Sequence, residues 1–320
     1  MKKTHKNAPL TTQVMLMSPS VSFIIPTKNR PEGIRRAVAS VLAAMPEDGE
    51  VIVVDDASDP PAMLALREVT DPRMTLYVNP GPHGPSAARN FGVRQTQASL
   101  LMFLDDDDLL VEDYCLRVIN RIKSLPDDCA FGFSASYHLE LDGSWTEVPS
   151  KSPAGVLGNE TPLKYRQAGL GKGCWITRTA FDAVGGLDEG IDVNEDTEFS
   201  VRLAASGHRC YCDQTPGVIL IGDPVRSASD QSSITKAAGA RARFLGFEYI
   251  LLKHQDFLKG HHTFRRKMFA RAIKYRMRAG SMAGWFRFCT QHQPVSDVFI
   301  YIVPGTLLLG LSKLISRKPQ

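Results

Sequence analysis

The chain has 320 residues, of which 43% are hydrophobic and 22% charged, a composition that fits an ordinary globular protein and excludes a disordered or fibrous one. The formal net charge of +4 combines two unlike parts: residues 1–235 hold 22 basic and 31 acidic residues, whereas residues 236–320 hold 16 basic and 3 acidic ones. The basic part predicts contact with an anionic partner, such as lipid headgroups, nucleic acid or a phosphorylated acceptor.

The cysteines and the first segment predict a cytoplasmic location. The six cysteines have no paired CxxC spacing: Cys115, Cys129, Cys174, Cys210, Cys212 and Cys289. Residues 1–20 are basic and polar without the apolar core of a secretory signal, and we expect a flexible leader there. A scattered set of cysteines without a secretory signal is typical of a reduced compartment.

The first elements predict a βαβ unit. Val21–Ile25 is an apolar strand, and Pro31 suits the first turn of the helix that follows. The apolar positions of that helix recur at helical spacing: Ile34, Ala37, Val38, Val41, Leu42 and Met45. A second strand, Val51–Val54, then runs into Asp55 and Asp56. Such a unit implies a parallel sheet, whose ligands bind beyond the carboxyl ends of the strands.

The later elements continue the alternation of strands and helices. In chain order we predict a strand over Met74–Val78, a helix capped by Ser86, a strand over Leu100–Leu104, a helix from Glu112 to about Ser124, one or two strands within 130–141, a strand within 171–177 and a helix over Thr179–Val184. The unbroken apolar run Leu100–Leu104 indicates a strand buried on both faces. The alternation predicts the α/β class.

Four consecutive carboxylates, Asp105 to Asp108, follow this buried strand. Adjacent carboxylates repel one another, so a divalent cation such as Mg²⁺ or Mn²⁺ explains the cluster. A solvated acidic turn that caps the next helix is the alternative. The chain has neither a dinucleotide fingerprint nor a phosphate-binding glycine loop after its first strand, so a metal is the expected way to hold phosphates.

A second acidic segment, Asn194–Glu198, predicts the start of a helix that ends at Gly207. Asn194 can act as the N-cap, which places Glu195 and Asp196 in the first turn. The helix dipole favours ionised carboxylates there, which keeps Asp196 charged and lowers its basicity. Acidic residues are also common in first turns for purely structural reasons.

Taken together, the ordered motifs resemble the inverting glycosyltransferases of family 2. The matching segments are Ile24–Arg30, Val53–Ser58, Gly84–Gly92, Leu104–Asp108, Gly185–Glu189 and Asn194–Glu198. The resemblance covers about Val21 to Ile221 and implies the GT-A fold, an α/β fold with a mixed, mostly parallel sheet between helices. It implies a GT-A domain over 21–222. From the charge and apolar pattern of the remaining sequence we expect a helical, basic region over 223–320.

The resemblance also implies roles for individual residues. Substrate or nucleotide binding falls to Pro26, Thr27, Arg30, Asp55, Asp56, Arg89 and Asp106. Asp56 would accept a hydrogen bond from the base, most often uracil, with Asp55 supporting it, and Asp106 would contact the ribose. Asp107 would be the principal ligand of Mn²⁺ or Mg²⁺, assisted by Asp105 or Asp108. Asp196 would be the catalytic base.

The expected reaction is transfer of a sugar from a nucleotide sugar, by preference a UDP-sugar, to an acceptor hydroxyl with inversion. The chain lacks the Gln-x-x-Arg-Trp pattern of processive synthases, which favours transfer of a single sugar in cell-envelope or surface glycan synthesis. It also departs from the family pattern, because no histidine lies within Gly217–Asp230, where Asp223 or Arg226 is a possible substitute.

The basic C-terminal region leaves two interpretations open. Phe264, Met268, Ala272 and Tyr275 fall on one helical face, which either lies on an anionic membrane or packs on the transferase body. The apolar run Val298–Leu311 is short for a membrane span and suits a monotopic insertion or a core helix. We therefore expect a cytoplasmic protein, with peripheral membrane contact through 236–320 as one possibility.

Three other functions fit parts of the sequence. A catalytically inactive GT-A module would bind nucleotide sugar without turnover, although Asp107 and Asp196 are both present. A nucleotidyltransferase would normally carry a glycine-rich loop after the first strand, and Pro26–Pro31 has no glycine. A nucleic-acid binder would need a reading motif, and none is evident.

Overall fold

A computed structural model describes residues 20–140, 142–221 and 239–281. The predicted leader up to residue 19, the predicted apolar segment Val298–Leu311, and the two residues Asp223 and Arg226 lie outside the described residues.

The described chain alternates strands and helices. The strands are β1 Val21–Thr27, β2 Glu50–Asp55, β3 Met74–Val78, β4 Leu100–Phe103, β5 Asp108–Leu110, β6 Cys129–Leu139, β7 Trp145–Val148, β8 Gly155–Leu157, β9 Trp175–Thr177 and β10 Arg209–Ile221. The helices are α1 Pro31–Ala44, α2 Ala62–Leu66, α3 Pro85–Arg94, α4 Tyr114–Ile122, α5 Arg178–Ala183, α6 Glu195–Ala205, α7 Ala240–Lys253, α8 Gln255–Lys259 and α9 His262–Arg278, with a 3-10 helix at Leu163–Tyr165.

The strands form one mixed sheet in the order β3-β2-β1-β4-β9-β6-β10-β5, to which β7 adds beside β6 and β8 beside β10. Strands β1 to β4 pair in parallel, which confirms the predicted βαβ opening. Strands β9 and β5 are antiparallel to their neighbours. The segment 130–141, for which one or two strands were predicted, contains the single long strand β6. The class is α/β, as predicted.

Strand β4 is buried on both faces, as its apolar run predicts. Leu100 and Met102 belong to the core cluster that packs under α1 and α4. Leu101 and Phe103 belong to the cluster on the other side, together with residues of α3 and α6. The sheet therefore lies between two helical layers, and the Asp cluster begins where this doubly buried strand ends.

Two predicted helix caps differ from the structure. Helix α3 begins at Pro85 with Gly84 at the N-cap position, so Ser86 lies inside the first turn and does not cap it. Asn194 does occupy the N-cap position of α6, but its backbone is left-handed with φ of 68°. Its side chain makes no capping hydrogen bond to the first turn of α6, all of which is described. A side-chain cap normally requires an extended backbone at that position.

The helices after residue 239 pack on the rest of the described chain. Phe264, Met268 and Ala272 share a buried cluster with Val201 of α6 and Leu163 of the 3-10 helix. The sequence left open whether the apolar face of this helix lies on a membrane or packs on the body of the protein, and the structure shows that it packs on the body. Among the described residues, no helix is both long enough and apolar enough to cross a membrane.

Helix α7 approaches the segment before α6 very closely. A Cβ atom added at Gly246 would lie 2.6 Å from the carbonyl oxygen of Val193, well inside van der Waals contact. Only glycine allows this approach. It fixes α7 against the chain that leads into the first turn of α6.

Candidate active site

A cleft of about 640 Å³ opens at the carboxyl ends of β1, β2 and β4. This volume is in the usual range for a small-molecule site. Most of the predicted site residues line it, namely Pro26, Thr27, Arg30, Asp56, Arg89, Asp105, Asp106 and Asp107. The wall opposite them includes Glu189, Ile191 and Glu195, which precede or begin α6.

Asp55 supports the loop that follows β2. Its buried carboxylate accepts hydrogen bonds from the backbone N–H groups of Ser58, at 2.9 Å, and Ala62, at 2.8 Å. Both partners are backbone groups, so Asp55 shapes the turn instead of facing a ligand.

Asp56 is buried at the rim of the cleft and is held from three sides. Its Oδ2 accepts from the N–H of Gly84 at 2.8 Å. Its Oδ1 accepts from Asn79 Nδ2 at 2.7 Å and lies 3.0 Å from His83 Nδ1. A carboxylate has about four acceptor positions, so one remains for a ligand.

Sequence reasoning missed His83. It lies in the turn-rich loop 79–85, and its half-exposed side chain lines the cleft beside Asp56. A single histidine in a loop carries no periodic or motif signal. Only the folded loop, which brings the ring back to the end of β2, reveals it.

Asp106 ties two loops together. Thr27 Oγ1 donates to its Oδ2 at 2.7 Å, and Arg30 Nη1 donates to its Oδ1 at 2.6 Å. Burial raises the pKa of Asp106, and the charge of Arg30 and the hydroxyl of Thr27 oppose that rise. A Cβ at Gly33 would lie 2.5 Å from the Asp106 carbonyl oxygen, so α1 also fixes this residue from below.

The other three carboxylates of the cluster converge. Asp105, Asp107 and Asp108 can each present an oxygen atom such that all three atoms lie within 4.8 Å of one another. Carboxylate oxygens at this separation suit a hard divalent cation such as Mg²⁺ or Mn²⁺. Arg30 Nη1 lies 2.8 Å from Asp107 and so contributes positive charge beside the group. The donor set therefore fits the metal that the resemblance implies.

Arg89 links the Asp cluster to the first turn of α6. Its buried guanidinium donates from Nη2 to Asp105 at 2.5 Å, and its Nη1 lies 3.6 Å from Glu195 Oε1. Within the described residues, its Nε and Nη1 have no hydrogen-bond partner. A buried guanidinium with unused N–H groups beside a cleft can donate to an anionic ligand.

Burial raises the pKa of both carboxylates in the first turn of α6. It raises the pKa of Glu195 to about 7, with a further rise from the charge of Asp196. Burial also raises the pKa of Asp196, against the opposing hydrogen bond from the Thr197 N–H at 2.6 Å. The prediction of lowered basicity at Asp196 is therefore wrong, because desolvation outweighs the hydrogen bonds of Thr197 and the charge of Arg89, which lower the pKa. Among the described residues, Glu195 lines the cleft and Asp196 does not.

A buried ion network holds α6 against α7. Glu198 accepts from Arg202 Nε at 2.9 Å, and Lys253 Nζ and His254 Nε2 each lie 2.9 Å from its carboxylate. Burial alone would raise the pKa of Glu198, but these partners lower it to about 2. Lys253 also binds Asp188, so one side chain bridges both segments that flank the cleft wall. His254 supplies a histidine near α6, bonded to Glu198.

We expect Glu198→Gln to destabilise the fold by about 3 kcal/mol at neutral pH, because it removes the buried negative charge that Arg202, Lys253 and His254 share. The pKa of Glu198 is lower in the folded state than in the unfolded state. Its stabilisation is therefore present above the unfolded value and is lost as the pH falls toward 2. Urea unfolding at pH 7 and pH 3 checks this, with Glu68→Gln, an exposed surface change, as the control. An equal difference from wild type at both pH values would contradict the ionic origin.

Comparisons with known proteins agree with this geometry. The family described as "Glycosyl transferase family 2" matches residues 22–178. The succinoglycan biosynthesis protein ExoO of Rhizobium meliloti is 28% identical over 214 residues, which cover 63% of this chain and 60% of that protein. The O-antigen biosynthesis protein RfbC of Myxococcus xanthus is 27% identical over 214 residues, which cover 61% of this chain and 17% of that protein. The chain thus spans less than two thirds of either relative.

Solved structures of S. aureus TarS share the fold. The structure of TarS residues 1–349 has a TM-score of 0.58 and 14% identity, and covers 83% of this chain and 74% of that one. The same fragment in complex with UDP-GlcNAc has a TM-score of 0.56 and 16% identity, with 83% and 74% covered. This likeness confirms the predicted GT-A architecture. The family match, the relatives and the shared fold agree, and residues 22–178 of the chain belong to glycosyltransferase family 2.

Proposed function

We propose that this protein is an inverting glycosyltransferase that moves one sugar from a UDP-sugar to an acceptor hydroxyl. The observation that carries the proposal is the convergence of three groups at one cleft. These are the carboxylate of Asp56 with one acceptor position left, the three-carboxylate cluster, and the acidic first turn of α6. TarS, which shares the fold, has been solved with UDP and with UDP-GlcNAc, which supports a uridine donor.

The nucleotide half of the donor would lie between β1 and the loop after β2. Asp56 accepts a hydrogen bond from the N3–H of uracil at its remaining position. Asp106, with Pro26 and Thr27 beside it, faces the ribose side of the cleft. Arg30 and Arg89 place positive charge where the diphosphate would lie.

Asp105, Asp107 and Asp108 would hold the divalent cation, with Asp107 as the principal ligand. When bound, the cation would neutralise charge that develops on the leaving diphosphate. The paired arginines supply part of that positive charge from the chain itself, since Arg89 contacts Asp105 and Arg30 contacts Asp107.

Asp196 acts as the catalytic base in this proposal. Burial raises its pKa and so increases its strength as a proton acceptor. It removes the proton of the acceptor hydroxyl as that oxygen attacks the anomeric carbon from the side opposite the diphosphate. One displacement of this kind inverts the configuration and needs no enzyme nucleophile.

The names of the relatives support a place in surface glycan synthesis. One relative acts in succinoglycan biosynthesis and the other in O-antigen biosynthesis, so a glycan or lipid-linked acceptor is the proposed second substrate. We place the transferase domain at residues 21–222 and the basic helical region at 223–320. The protein would work in the cytoplasm, with the basic region in peripheral contact with the membrane.

A ligand panel tests the proposal. Thermal unfolding is measured with UDP, GDP, CMP and dTDP, each with and without Mn²⁺, and UDP release is then measured with UDP-sugars. We expect UDP to give the largest shift and a UDP-sugar to be turned over. Binding of UDP without turnover of any UDP-sugar or acceptor would favour the inactive binding module. Formation of a nucleotide sugar and pyrophosphate from UTP and a sugar 1-phosphate would favour a nucleotidyltransferase.

We expect His83→Ala to weaken uridine binding. The imidazole fixes the Asp56 carboxylate, and loss of one such hydrogen bond costs about 1 kcal/mol, which is roughly a fivefold rise in Kd. The expected effect is on the contact with the uracil ring, which uridine and UDP share. Calorimetry should therefore show the same fold rise in Kd for both ligands. His262→Ala, an exposed change in α9, is the control. Tighter binding in His83→Ala would mean that the ring competes with the base.

A further inference from the structure

The outward side of α9 carries a line of basic side chains. Lys267, Arg271, Lys274 and Arg278 are all exposed and follow at intervals of four, three and four residues, which places them on one side of the helix. At 1.5 Å per residue the line is about 16 Å long. The sequence of α9 contains neither Asp nor Glu.

Two lysines from other elements extend this line. Lys151 lies between β7 and β8, and Lys164 lies in the 3-10 helix, which packs against α9 through Leu163. Burial and the charges of Arg271, Lys151 and Lys164 together lower the pKa of Lys267, which indicates that these four cations are close neighbours. We call the set the basic face: Lys151, Lys164, Lys267, Arg271, Lys274 and Arg278.

The basic face has no internal counter-charge. In residues 20–140, 142–221 and 239–281, none of its six members pairs with a carboxylate. Four of them instead lie over aromatic rings: Arg271 over Phe247 at 5.7 Å, Lys164 over Tyr165 at 4.4 Å, and Lys274 and Arg278 over Tyr275 at 6.0 and 5.5 Å. Like charges gathered in this way repel one another and lower stability. An anionic partner outside the described chain would turn this repulsion into attraction.

The opposite side of α9 limits how that partner binds. Phe264, Met268 and Ala272 are already buried against α6 and the 3-10 helix, so they are not available for insertion into a bilayer. Attraction at the basic face must therefore be electrostatic. Cations from three separate elements make a broad footprint, which suits a surface with many phosphates better than one small anion.

We propose that the basic face binds the anionic headgroups of a lipid bilayer and holds the protein at the membrane surface without insertion of α9. This inference narrows the membrane contact proposed above to one set of side chains. It does not depend on transfer activity. Each such cation next to an anionic bilayer strengthens binding roughly fivefold.

Vesicle co-sedimentation of the full-length protein tests the inference. The vesicles contain about 30% phosphatidylglycerol in phosphatidylcholine, or phosphatidylcholine alone, at about 50 and 500 mM salt, a range over which charge screening becomes strong. The test variant replaces Lys151, Lys164, Lys267 and Arg271 by Gln. The control variant replaces four exposed cations elsewhere on the body by Gln: Arg36, Arg67, Arg94 and Lys123.

We expect the wild type and the control variant to bind anionic vesicles at low salt, and the test variant to bind at least tenfold more weakly. Equal binding of all three proteins would overturn the inference. Vesicle binding that is equally strong at both salt concentrations would also overturn it, as would binding to heparin without binding to vesicles. Thermal unfolding shows that both variants fold, and UDP binding is measured separately, so a failure of the proposed transfer reaction leaves this result intact.

Discussion

Replacement of Asp196 by Asn is expected to reduce the transfer rate by about 10²- to 10⁴-fold, the contribution of a general base, while UDP still binds. The amide is nearly the same size as the carboxylate and can still accept from the Thr197 N–H. It cannot take a proton from the acceptor hydroxyl. Initial rates with saturating donor and a calorimetric Kd for UDP separate the two effects.

Glu195→Gln is the matched comparison, because it makes the same replacement of a carboxylate by an amide at the adjacent, partly buried position. Glu195 lines the cleft and its pKa is raised to about 7, so it is the rival base. If Asp196 is the base, Glu195→Gln should keep most of the turnover. If Glu195→Gln instead loses turnover and Asp196→Asn keeps it, Glu195 is the group that removes the proton.

The pH profile gives a further check on the same pair. A base must be deprotonated, so activity should fall as the pH drops through the raised pKa of Asp196. The acid limb of kcat therefore lies above the usual range for an aspartate. The charges of Glu195 and Asp196 repel each other, so Glu195→Gln should lower the pKa of Asp196 and move the acid limb of kcat to lower pH.

The sequence predicts the elements whose signals are local. The run Leu100–Leu104 identifies β4 because burial on both faces leaves no polar position within it. The start of α6 follows from the acidic residues after Asn194. Each of these segments carries its pattern within a few residues, and the Asp cluster is placed correctly at a strand end for the same reason.

What the sequence does not predict depends on distant partners. Glu198 meets His254, which is 56 residues away, and no periodicity links the two. The pKa of Asp196 is raised, where the sequence predicts it to be lowered, because the largest effect on it is burial by the folded chain. His83 likewise gains its position beside Asp56 only when the loop after β3 folds back.

The Asp cluster shows both what the sequence predicts and what it does not. Four identical residues leave the register ambiguous in the sequence, whereas the structure separates Asp106, bonded to Thr27 and Arg30, from the other three. Strand β5 begins at Asp108, and this brings its carboxylate back toward Asp105 and Asp107. This turn of the backbone depends on the tertiary structure, and a run of four aspartates in the sequence does not predict it.

Asp107→Asn should abolish the part of UDP binding that depends on Mn²⁺. For the wild type, UDP at about 100 times its Kd in the presence of Mn²⁺ should add about 2.7 kcal/mol to the free energy of unfolding. For a chain of this size that is a rise in Tm of roughly 5 °C. The variant should show the small shift that the wild type shows after chelation with EDTA.

The apo fold should tolerate this change. Arg30 loses one partner but keeps Asp106, and removal of one negative charge relieves repulsion within the cluster. Asp127→Asn, an exposed carboxylate outside the cleft, is the control and should keep the full Mn²⁺-dependent shift. If Asp107→Asn keeps that shift as well, Asp107 is not the principal ligand, and Asp105 and Asp108 must hold the cation without it. Loss of the shift with an unchanged apo Tm would place the metal requirement on the Asp107 carboxylate.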